Sequence, residues 1–577
     1  MKIPVDKKIT QVNNGDLYGT MIKSFNLDLI SNAGTWRTAR LLKTADETIE
    51  GFGVPTAIEQ FTVGGATNIY AICGAKIFLT TNTAGSWGLD AATPTTYTAK
   101  GDLKVFNGYL YASGDDNHIY KLDNAGTWTT FDAGASSSSL AKLLVYGKRM
   151  YKTHLDTQVI SWDTSDTVRV VGNPNALQLS GYSAGNITTL LASSGRIWIG
   201  TLNTTGRGSM FEWDGVLEDT VTQEYKLKSN GVLAGVIFND VPYIMDSDGV
   251  LRAYSGGQFQ EVARLPLIGD NLLFSTVPSN DLCFIQHNGM EVVDREILIN
   301  INGDLVRSAT GLNLASGVWA YNPDLGLYHK YSYSLSEFDN SGYSASDILD
   351  FGQHNTYRVG AIKNIRLPAN YDGDLLVGAE IYSTATAKKK AMFVNHTLGT
   401  FQKAGYFITP RIEAQNKKES WNELSVIFKK LATSTDKIVL KQRIVEDDPL
   451  EFNATWTDSN TFTGTATGMG NYVIGDEVEF VQGVGSGLCA HITAITSLSG
   501  TYTVDIDETF STATGTASAR LSKWQKLGSV DYTYGVLEQI KEFSINKASP
   551  FVQLKVWFTW TGDGEMRELI LDNQKYK

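Results

Sequence analysis

The pentapeptide GYSAG, at residues 181–185, is the part of the chain that comes nearest to a catalytic motif. A serine nucleophile in a G-x-S-x-G elbow needs a strand before it and a helix after it, which hold the serine in a strained turn. Here NALQLS precedes the pentapeptide and NITTLLASSGRIWIG follows it, a pattern typical of a loop that enters a β-strand. The sequence therefore predicts a turn at this position and no catalytic serine.

Acidic turns and histidines are the residues that could bind a metal ion. The segments SGDDN (Asp115, Asp116) and DSDG (Asp246, Asp248) lack the spaced acidic ligands and the distal glutamate of a calcium loop. Hairpin turns use the same residue types. The histidines are never at ligand spacing, so a zinc site would have to assemble from distant parts of the chain. We therefore expect no metal site and no cofactor. The seven histidines are His118, His154, His287, His329, His354, His396 and His491.

Arginines are the candidates for a sialidase-type active site, which would need an arginine cluster, a tyrosine nucleophile and an acidic partner. They occur about once in each of the repeats described below, and their spacing does not show that they converge. We expect no enzyme, and a sialidase-like enzyme is the last of the alternatives that the sequence leaves open. The arginines concerned are Arg149, Arg196, Arg207, Arg252 and Arg295.

Length and composition exclude several classes of protein. A chain of 577 residues is long enough for two to four domains. With 42% hydrophobic and 19% charged residues, the chain is globular rather than disordered. A net charge of −12 argues against general nucleic-acid binding and against adhesion to anionic membranes.

The cysteines and the first residues bear on the compartment. Cys73, Cys283 and Cys489 lie far apart, each in an apolar run, and are expected to be buried core residues rather than disulfide partners. The opening MKIPVDKKITQ lacks the apolar core of a signal peptide. No stretch approaches the roughly 18 uninterrupted apolar residues of a membrane helix. We expect a protein that is made in a cytoplasm and does not insert into a membrane.

A repeat of about forty residues organises the first two thirds of the chain. FNGYLYASGDDNHIYKLDNAGTW, at 106–128, has a near-copy at 67–87, and further copies start at Gly147, Gly195 and Asn239. Each copy reads as a strand, a turn, a second strand and an aromatic corner. All-strand units at this period are typical of a β-propeller, here of about seven blades between residues 58 and 385. A solenoid is the competing interpretation. The corner aromatics are Trp87, Trp128, Trp162, Trp213 and Tyr254.

The sequence on either side of the repeats differs from them. Residues 1–57 contain one alternating strand and are predicted to be an N-terminal arm or a blade-closing strand. Residues 386–451 and 523–577 carry longer alternating strands, as in an antiparallel β-sandwich. Residues 452–522, with short strands and glycine-rich turns, predict a small β-barrel inserted into a loop of the sandwich.

Lysines concentrate where the predicted sandwich begins, in AKKK at 387–390 and in FKK at 428–430. Edge strands use lysines in this way to resist pairing with other chains. The alternative is a docking face for an acidic neighbour.

The corners KLDNAGTW and TTNTAGSW resemble the Asp-box turns of sialidase-type propellers, with the glycine shifted by one place. In such turns a short polar side chain binds the turn backbone, glycine takes a positive φ, and the tryptophan fills the gap between blades. The resemblance implies a structural role for the corner residues.

The order of arm, propeller and C-terminal sandwich resembles the propeller-bearing tail proteins of tailed bacteriophages, of the tail nozzle or tail-hub plug type. The stretches that carry the resemblance are IKSFNLDLISNAGTWRTARLL, SNDLCFIQHNGMEVVDREI, SGVWAYNPDLGLYHKYSY and SPFVQLKVWFTWTGDGEMRELILDN. The inserted barrel departs from the pattern. The resemblance implies a structural virion protein, located in the tail and made in the host cytoplasm.

The resemblance implies two kinds of partner. Other copies of the chain would form a homo-oligomeric ring of six, and the ring would bind the portal-adaptor or other tail proteins. The ring would bound the DNA exit channel, and DNA would pass without sequence-specific binding. An acidic lumen would repel phosphates and let DNA slide. The alternative is a receptor-binding or fibre-attachment tail protein that recognises a host surface glycan through exposed aromatic side chains.

Overall fold

A computed structural model describes two compact units. One comprises residues 42–323 and 353–397, here the repeat unit; the other comprises residues 1–41, 324–352 and 398–577, here the C-terminal unit. The residues described are 23–25, 27–28, 37–38, 43–44, 54–74, 76–81, 87–90, 101–114, 118–133, 141–182, 185–203, 206–265, 284–301, 317–331, 357–367, 370–382, 389–395, 404–409, 412–413, 419–429, 431, 437–445, 450–483, 489–509, 515–531, 538–548, 551–559 and 566–575.

The described part of the repeat unit contains seven antiparallel sheets in chain order, named sheets 1 to 7. In sheets 1 to 5 consecutive strands pair with each other, except that Leu177–Gln178 of sheet 3 pairs with Gln158–Asp163. The strands of sheet 1 are Pro55–Val63, Ala66–Cys73, Lys76–Thr80 and Gly88–Leu89; of sheet 2, Leu103–Phe106, Tyr109–Ser113, His118–Leu122 and Trp128–Ala133; of sheet 3, Leu143–Tyr146, Arg149–His154, Gln158–Asp163, Val168–Arg169 and Leu177–Gln178; of sheet 4, Asn186–Ser193, Arg196–Leu202, Ser209–Trp213 and Gln223–Lys226; and of sheet 5, Val232–Phe238, Val241–Asp246, Val250–Ser255 and Gln258–Arg264.

Sheets 6 and 7 complete the series. In this unit sheet 6 has the strands Met290–Val293, Glu296–Ile301 and Gly317–Asn322. Sheet 7 is formed by Tyr357–Leu367, Asn370–Tyr382, Lys389–Asn395 and, from the start of the chain, Lys43–Thr44. The N-terminal strand is in register with Phe393 and Val394, so it adds the fourth strand of this sheet.

Tight turns at glycine and asparagine connect the first two strands of several sheets. Asn107 (φ +49°) and Gly108 (φ +79°) turn sheet 2, and Ser194 (φ +49°) and Gly195 (φ +76°) turn sheet 4. Positive φ at both turn residues matches the twist of the flanking strands, which is why two-residue hairpins favour these residue types. The hairpins in the sequence repeats are therefore a direct consequence of local turn chemistry.

The first strands of the seven sheets contact one another in a closed circuit. Each first strand contacts that of the next sheet, and Tyr357–Leu367 of sheet 7 returns to Pro55–Val63 of sheet 1. Apolar side chains fill the spaces between successive sheets, as Ile58, Trp87 and Leu376 do between sheets 1 and 7. The circuit gives the unit a propeller-like character, and the core lies between sheets rather than within any one of them.

The C-terminal unit is built on two antiparallel sheets. The six-stranded sheet has the order Lys23–Phe25, Ala404–Ile408, Phe551–Thr559, Lys437–Arg443 and Gln525–Asp531, with Ile412–Glu413 also pairing with Phe551–Thr559. In the three-stranded sheet, Glu419–Lys429 lies between Glu538–Ala548 and Met566–Lys575. The described residues of this unit also include the pair Leu27–Asp28 and Arg37–Thr38, and the strand Gly326–Tyr331.

A closed six-stranded barrel is inserted between two neighbouring strands of the six-stranded sheet. In barrel order its strands are Leu450–Asp458, Thr461–Gly464, Thr501–Ile506, Cys489–Leu498, Glu477–Gly483 and Gly515–Ser522. A 3₁₀ turn, Met469–Asn471, contributes to its core, which includes Trp456, Phe462 and Phe480. The barrel begins and ends next to the register pair Gln442 and Gln525.

The described residues contain strands, turns and two 3₁₀ turns, so the predicted all-β class, with a small barrel, is confirmed. Two details differ from expectation. Sheet 7 continues to Asn395, past the boundary predicted at residue 385, so part of AKKK lies in that sheet. Phe428 and Lys429 of FKK end the central strand of the three-stranded sheet, not an edge strand, because Glu419–Lys429 pairs on both sides. Lys430 lies outside the described residues. None of the described helical turns is long and apolar enough to span a membrane.

Candidate functional site

The corner aromatics pack against the sheet that precedes their own. Trp162 of sheet 3 lies 5.6 Å from Tyr111 and 5.3 Å from Phe131 of sheet 2, measured between ring centroids. Trp213 of sheet 4 lies 5.7 Å from Tyr151 of sheet 3. The tryptophans at 87, 128, 162 and 213 are at most 8% exposed. Burial of these side chains in the gaps between sheets, predicted from the sequence, is confirmed.

The corner tryptophans occupy two different positions within the repeat. Because each copy reads as the same series of strand, turn, strand and aromatic corner, we expected them at equivalent positions. Trp162 and Trp213 lie at the end of a third strand, whereas Trp128 begins a fourth strand, on the other side of the turn. The spacing of the tryptophans along the chain could not separate the two groups, because residues on either side of the turn between the third and fourth strands pack against the preceding sheet.

The corner turns are held by aspartates. Asp123 Oδ1 accepts hydrogen bonds from the backbone nitrogens of Ala125 and Thr127, each at 2.9 Å, and Gly126 has a φ of +86°. The predicted arrangement of polar side chain, glycine and tryptophan therefore stabilises the turn. Asp246 does the same in its own turn, since Oδ1 accepts from the nitrogens of residues 248 and 250. Within the described residues no group of three or more His, Cys, Asp or Glu is arranged to hold a metal ion. Asp115 and Asp116 lie outside the described residues.

The described residues on either side of Ser183 do not have the order that a nucleophile elbow needs. A 3₁₀ turn covers Ser180–Tyr182, and strand Asn186–Ser193 follows, where a nucleophile elbow needs a helix. A Cβ on Gly185 would lie 1.8 Å from the backbone oxygen of Leu202, so glycine is required there for close backbone packing. Ser183 lies outside the described residues.

Three of the candidate arginines form ion pairs within their own sheets. Arg149 Nη1 lies 3.2 Å from Asp163 Oδ2 in sheet 3. Arg196 Nε lies 3.1 Å from a Glu212 oxygen in sheet 4, and Arg252 lies 2.8 Å from Asp246 in sheet 5. Each guanidinium is thus occupied by a carboxylate of the same repeat, which favours a structural role.

A cluster of charged side chains, the axial cluster, lies on or just before the first strands of five sheets. Glu59 Oε2 of sheet 1 lies 4.0 Å from Lys104 Nζ of sheet 2 and 3.7 Å from Lys363 Nζ of sheet 7. Its ion pairs therefore connect sheets at the point where the circuit closes. The members of the axial cluster are Glu59, Asp102, Lys104, Lys142, His287, Asn288, Glu291 and Lys363.

Asp102 is the most highly connected member of the axial cluster. Its side-chain oxygens accept hydrogen bonds at 3.0 Å from the backbone nitrogens of Leu103 and Leu143, and Lys142 Nζ lies 3.4 Å away. Asp102 is 2% exposed. Burial opposes its ionisation, but the charges of Lys142 and Lys104 and the bond from the Leu143 nitrogen outweigh the burial and hold the pKa of Asp102 well below its usual range. Burial in turn lowers the pKa of Lys142.

His287 lies beside this pair and is 4% exposed. Neither ring nitrogen has a hydrogen-bond partner among the described residues. Burial, followed by the charge of Lys142, lowers its pKa to about 3, so the imidazole is neutral. Sequence reasoning did not single out Asp102, Lys142 or Asn288. One available signal was that a polar residue directly precedes the first strand of sheets 2 and 3.

A second buried charge cluster, the barrel junction, joins the barrel to the six-stranded sheet. Glu477 of the barrel contacts Lys441 Nζ and lies 2.7 Å from Lys555 Nζ, and all three side chains are at most 3% exposed. Lys555 Nζ also lies 4.8 Å from the Tyr406 ring centroid and 5.0 Å from that of Trp557. Burial opposes ionisation of Glu477, but the two lysines hold its pKa well below the usual range.

Comparisons with known proteins give structural similarities alone. No family model matches the chain, and no curated protein matches it. Among solved structures, the computationally designed Ika8 protein aligns with 63% of this chain and 96% of its own at 9% identity and a TM-score of 0.34. BBS1N in complex with ARL6DN, soaked with lead, aligns with 63% of this chain and 100% of its own at 10% identity and a TM-score of 0.39. The mercury-soaked form of that complex aligns with 62% of this chain and 98% of its own at 12% identity and a TM-score of 0.38.

Proposed function

We propose that the protein is a non-catalytic structural component of a bacteriophage tail, a nozzle or hub subunit that assembles into a ring around the DNA exit channel. Its repeat unit is a seven-bladed β-propeller, and its C-terminal unit is a β-sandwich with an inserted barrel. The closed circuit of first strands supports the blade count. The phage assignment rests on the sequence resemblance described above.

One observation favours a structural over a catalytic role. Side chains that could do chemistry are used in contacts that hold the fold: corner tryptophans fill gaps between sheets, and three candidate arginines pair within their own sheets. The axial carboxylates Glu59 and Asp102 form ion pairs with lysines of other sheets. A rigid subunit with its charges paired internally suits a load-bearing assembly. The net charge of −12 suits a lumen that must not bind DNA.

The experiment is a measurement of location and copy number. Particles of the source phage are purified, and peptides of this chain are quantified against a major tail protein by mass spectrometry. The proposal predicts a small fixed copy number, six by the resemblance, and antibody labelling of the tail in electron micrographs. Absence of the chain from mature particles would overturn it. So would glycan hydrolysis by the purified protein that is lost in Arg149→Ala.

A receptor-binding role is the second candidate, and the barrel favours it. The barrel has its own core and exposes large apolar side chains, with Ile474 66% and Leu498 82% exposed. A module of this kind can present a binding surface without disturbing its host sheet. Particles that lack the barrel distinguish the two roles: loss of adsorption with intact tails favours receptor binding, and unchanged adsorption favours the structural role alone.

A further inference from the structure

Three side chains of the axial cluster occupy the positions of a nucleophile, an acyl group and a proton carrier. Lys142 Nζ contacts Oδ1 of the Asn288 carboxamide. The same Nζ lies 3.4 Å from Asp102 Oδ2, and Asn288 Nδ2 donates a hydrogen bond to Asp102 Oδ1 at 3.1 Å. One carboxylate therefore faces both an amine that can attack the amide and the amide nitrogen that would leave.

We propose that Lys142 and Asn288 condense into an isopeptide bond, with Asp102 transferring the protons. The bond would join sheet 3 to sheet 6, which are not neighbours in the circuit. It is a covalent modification of the chain by its own residues, independent of the tail assignment.

The reaction balances without a co-reactant. Asp102 accepts a proton from the Lys142 ammonium, and the neutral Nζ attacks Cγ of Asn288, moving the carbonyl electron pair onto Oδ1. Asp102 then protonates Nδ2 and takes the second proton from Nζ. The Cγ–Nδ2 bond breaks as the carbonyl re-forms, and ammonia leaves with the proton that Asp102 returns to it. A lysine ammonium and a carboxamide become a secondary amide and an ammonium ion, and Asp102 is regenerated.

The surroundings favour the attack by Lys142 and hold the three groups in position. Burial lowers the pKa of Lys142, which raises the fraction of neutral amine. The Thr56 carbonyl oxygen accepts a second hydrogen bond from Asn288 Nδ2, at 2.9 Å, and this fixes the carboxamide with Oδ1 towards Lys142. The backbone bonds to Asp102 hold the carboxylate in place. Reacting groups held at contact distance gain the rate advantage of an intramolecular reaction.

His287 is consistent with the same arrangement. It precedes Asn288 in the chain, is almost fully buried, and lacks a partner at either ring nitrogen among the described residues. A cationic imidazole here would compete with Lys142 for the Asp102 carboxylate. Because its pKa is lowered to about 3, His287 is neutral, and Asp102 is left to the lysine.

A cross-link at this position would close the chain between residues 142 and 288 into a covalent loop. Loops of this kind restrict the unfolded chain, as long-range disulfides do. Sheets 3 to 6 would then remain tethered even if the circuit opened elsewhere. This property suits a subunit that must withstand force.

The test is the intact mass of the purified full-length protein under denaturing conditions. The proposal predicts a mass lower than the sequence mass by one ammonia molecule, together with a branched peptide that joins Lys142 to Asn288 after proteolysis. Lys142→Arg, Asn288→Ala and Asp102→Ala should each restore the mass calculated from their own sequence. Lys104→Arg, which changes a neighbouring lysine of the axial cluster, should keep the cross-link.

The wild-type measurement decides the matter even if a variant fails to fold. Folded wild-type protein that retains its full sequence mass overturns the proposal. A folded Asp102→Ala variant that is still cross-linked shows that Asp102 is not the proton carrier and overturns that assignment. Circular dichroism and thermal unfolding verify that each protein is folded before its mass is interpreted.

Discussion

Trp128 begins the fourth strand of sheet 2, and its indole nitrogen donates a hydrogen bond to Asp90 Oδ2 of sheet 1 at 2.7 Å. Its ring also belongs to the apolar cluster between these sheets, which includes Tyr70 and Ile72. A side chain in this position stabilises the contact between two sheets, not only its own hairpin. The same holds for Trp162 and Trp213, which pack on sheets 2 and 3.

Replacing Trp128 by alanine should therefore lower the free energy of unfolding by about 3–5 kcal/mol, because it removes a large buried ring together with the hydrogen bond from the indole nitrogen to Asp90. Thermal and denaturant unfolding measure the effect. Leu217→Ala is the matched control, since Leu217 is 53% exposed and should tolerate truncation. A Trp128→Ala protein with the wild-type midpoint would contradict the role of the corners.

Glu477 offers a second prediction at the residue scale, because its carboxylate is shared by two buried lysines. Glu477→Gln should cost about 3–5 kcal/mol, since Lys441 and Lys555 would stay buried without an anion. Glu261→Gln, which breaks an exposed pair with Arg264, is the control and should cost at most about 1 kcal/mol.

The stabilisation by Glu477 also has a defined pH dependence. The pKa of Glu477 is lower in the folded protein than its ordinary value of 4.5. The carboxylate therefore stabilises the fold fully above about pH 5, and this contribution disappears as the pH falls towards the folded pKa. The difference in unfolding free energy between wild type and Glu477→Gln should shrink on acidification. A difference that grows below pH 4.5 would show that the pair is misassigned.

At the scale of elements, the barrel is a module whose two ends meet. It interrupts the pair Lys437–Arg443 and Gln525–Asp531, in which Gln442 and Gln525 are register partners. A short connection can therefore replace it without moving either strand. Residues 450–522 include Glu477, so removal of the barrel also exposes Lys441 and Lys555 to water, where a lysine needs no counter-ion.

We expect a protein in which a short Gly/Ser bridge replaces residues 450–522 to remain folded. It should also lose less stability than Glu477→Gln does, because its lysines are hydrated rather than buried unpaired. Limited proteolysis and thermal unfolding of the deletion protein provide the comparison. Insoluble protein, or protein without a cooperative transition, would show that the barrel is part of the core of its unit.

Local elements followed from the sequence wherever short-range chemistry determines them. Turns such as Asn107-Gly108 and the corner at Asp123 are determined by residues adjacent in the chain, so the hairpins of the repeats could be predicted. For residues 1–57 the sequence left open an arm or a blade-closing strand. The partner of Lys43–Thr44 could not be predicted, because the pairing with Lys389–Asn395 joins segments far apart in the chain and neither carries a signal for the other. The axial cluster escaped prediction for the same reason: the contact between Lys142 and Asn288 exists only once the circuit has closed.

At the scale of the whole molecule, the repeat unit is stabilised from two directions. Aromatic corners fill the gaps between successive sheets, and the axial cluster ties first strands together, including those of sheets 1 and 7 where the circuit closes. The C-terminal unit uses a different device, in which buried charges fix an inserted barrel to a sheet. The axial cluster and the barrel junction both use charged side chains to hold parts of the fold together. This use supports the proposal of a structural subunit rather than an enzyme.

We propose a phage tail protein, and the most direct test is cryo-electron microscopy of the tail of the phage proposed as its source. We predict a ring of copies around the DNA channel, in which each copy fits the map with seven sheets in a closed circuit and with the barrel resolved beside the six-stranded sheet. A chain that is found instead at the tip of a fibre, or that is absent from the tail, would contradict the proposed function. A repeat region whose first and seventh sheets are separated in the map would contradict the closed circuit itself.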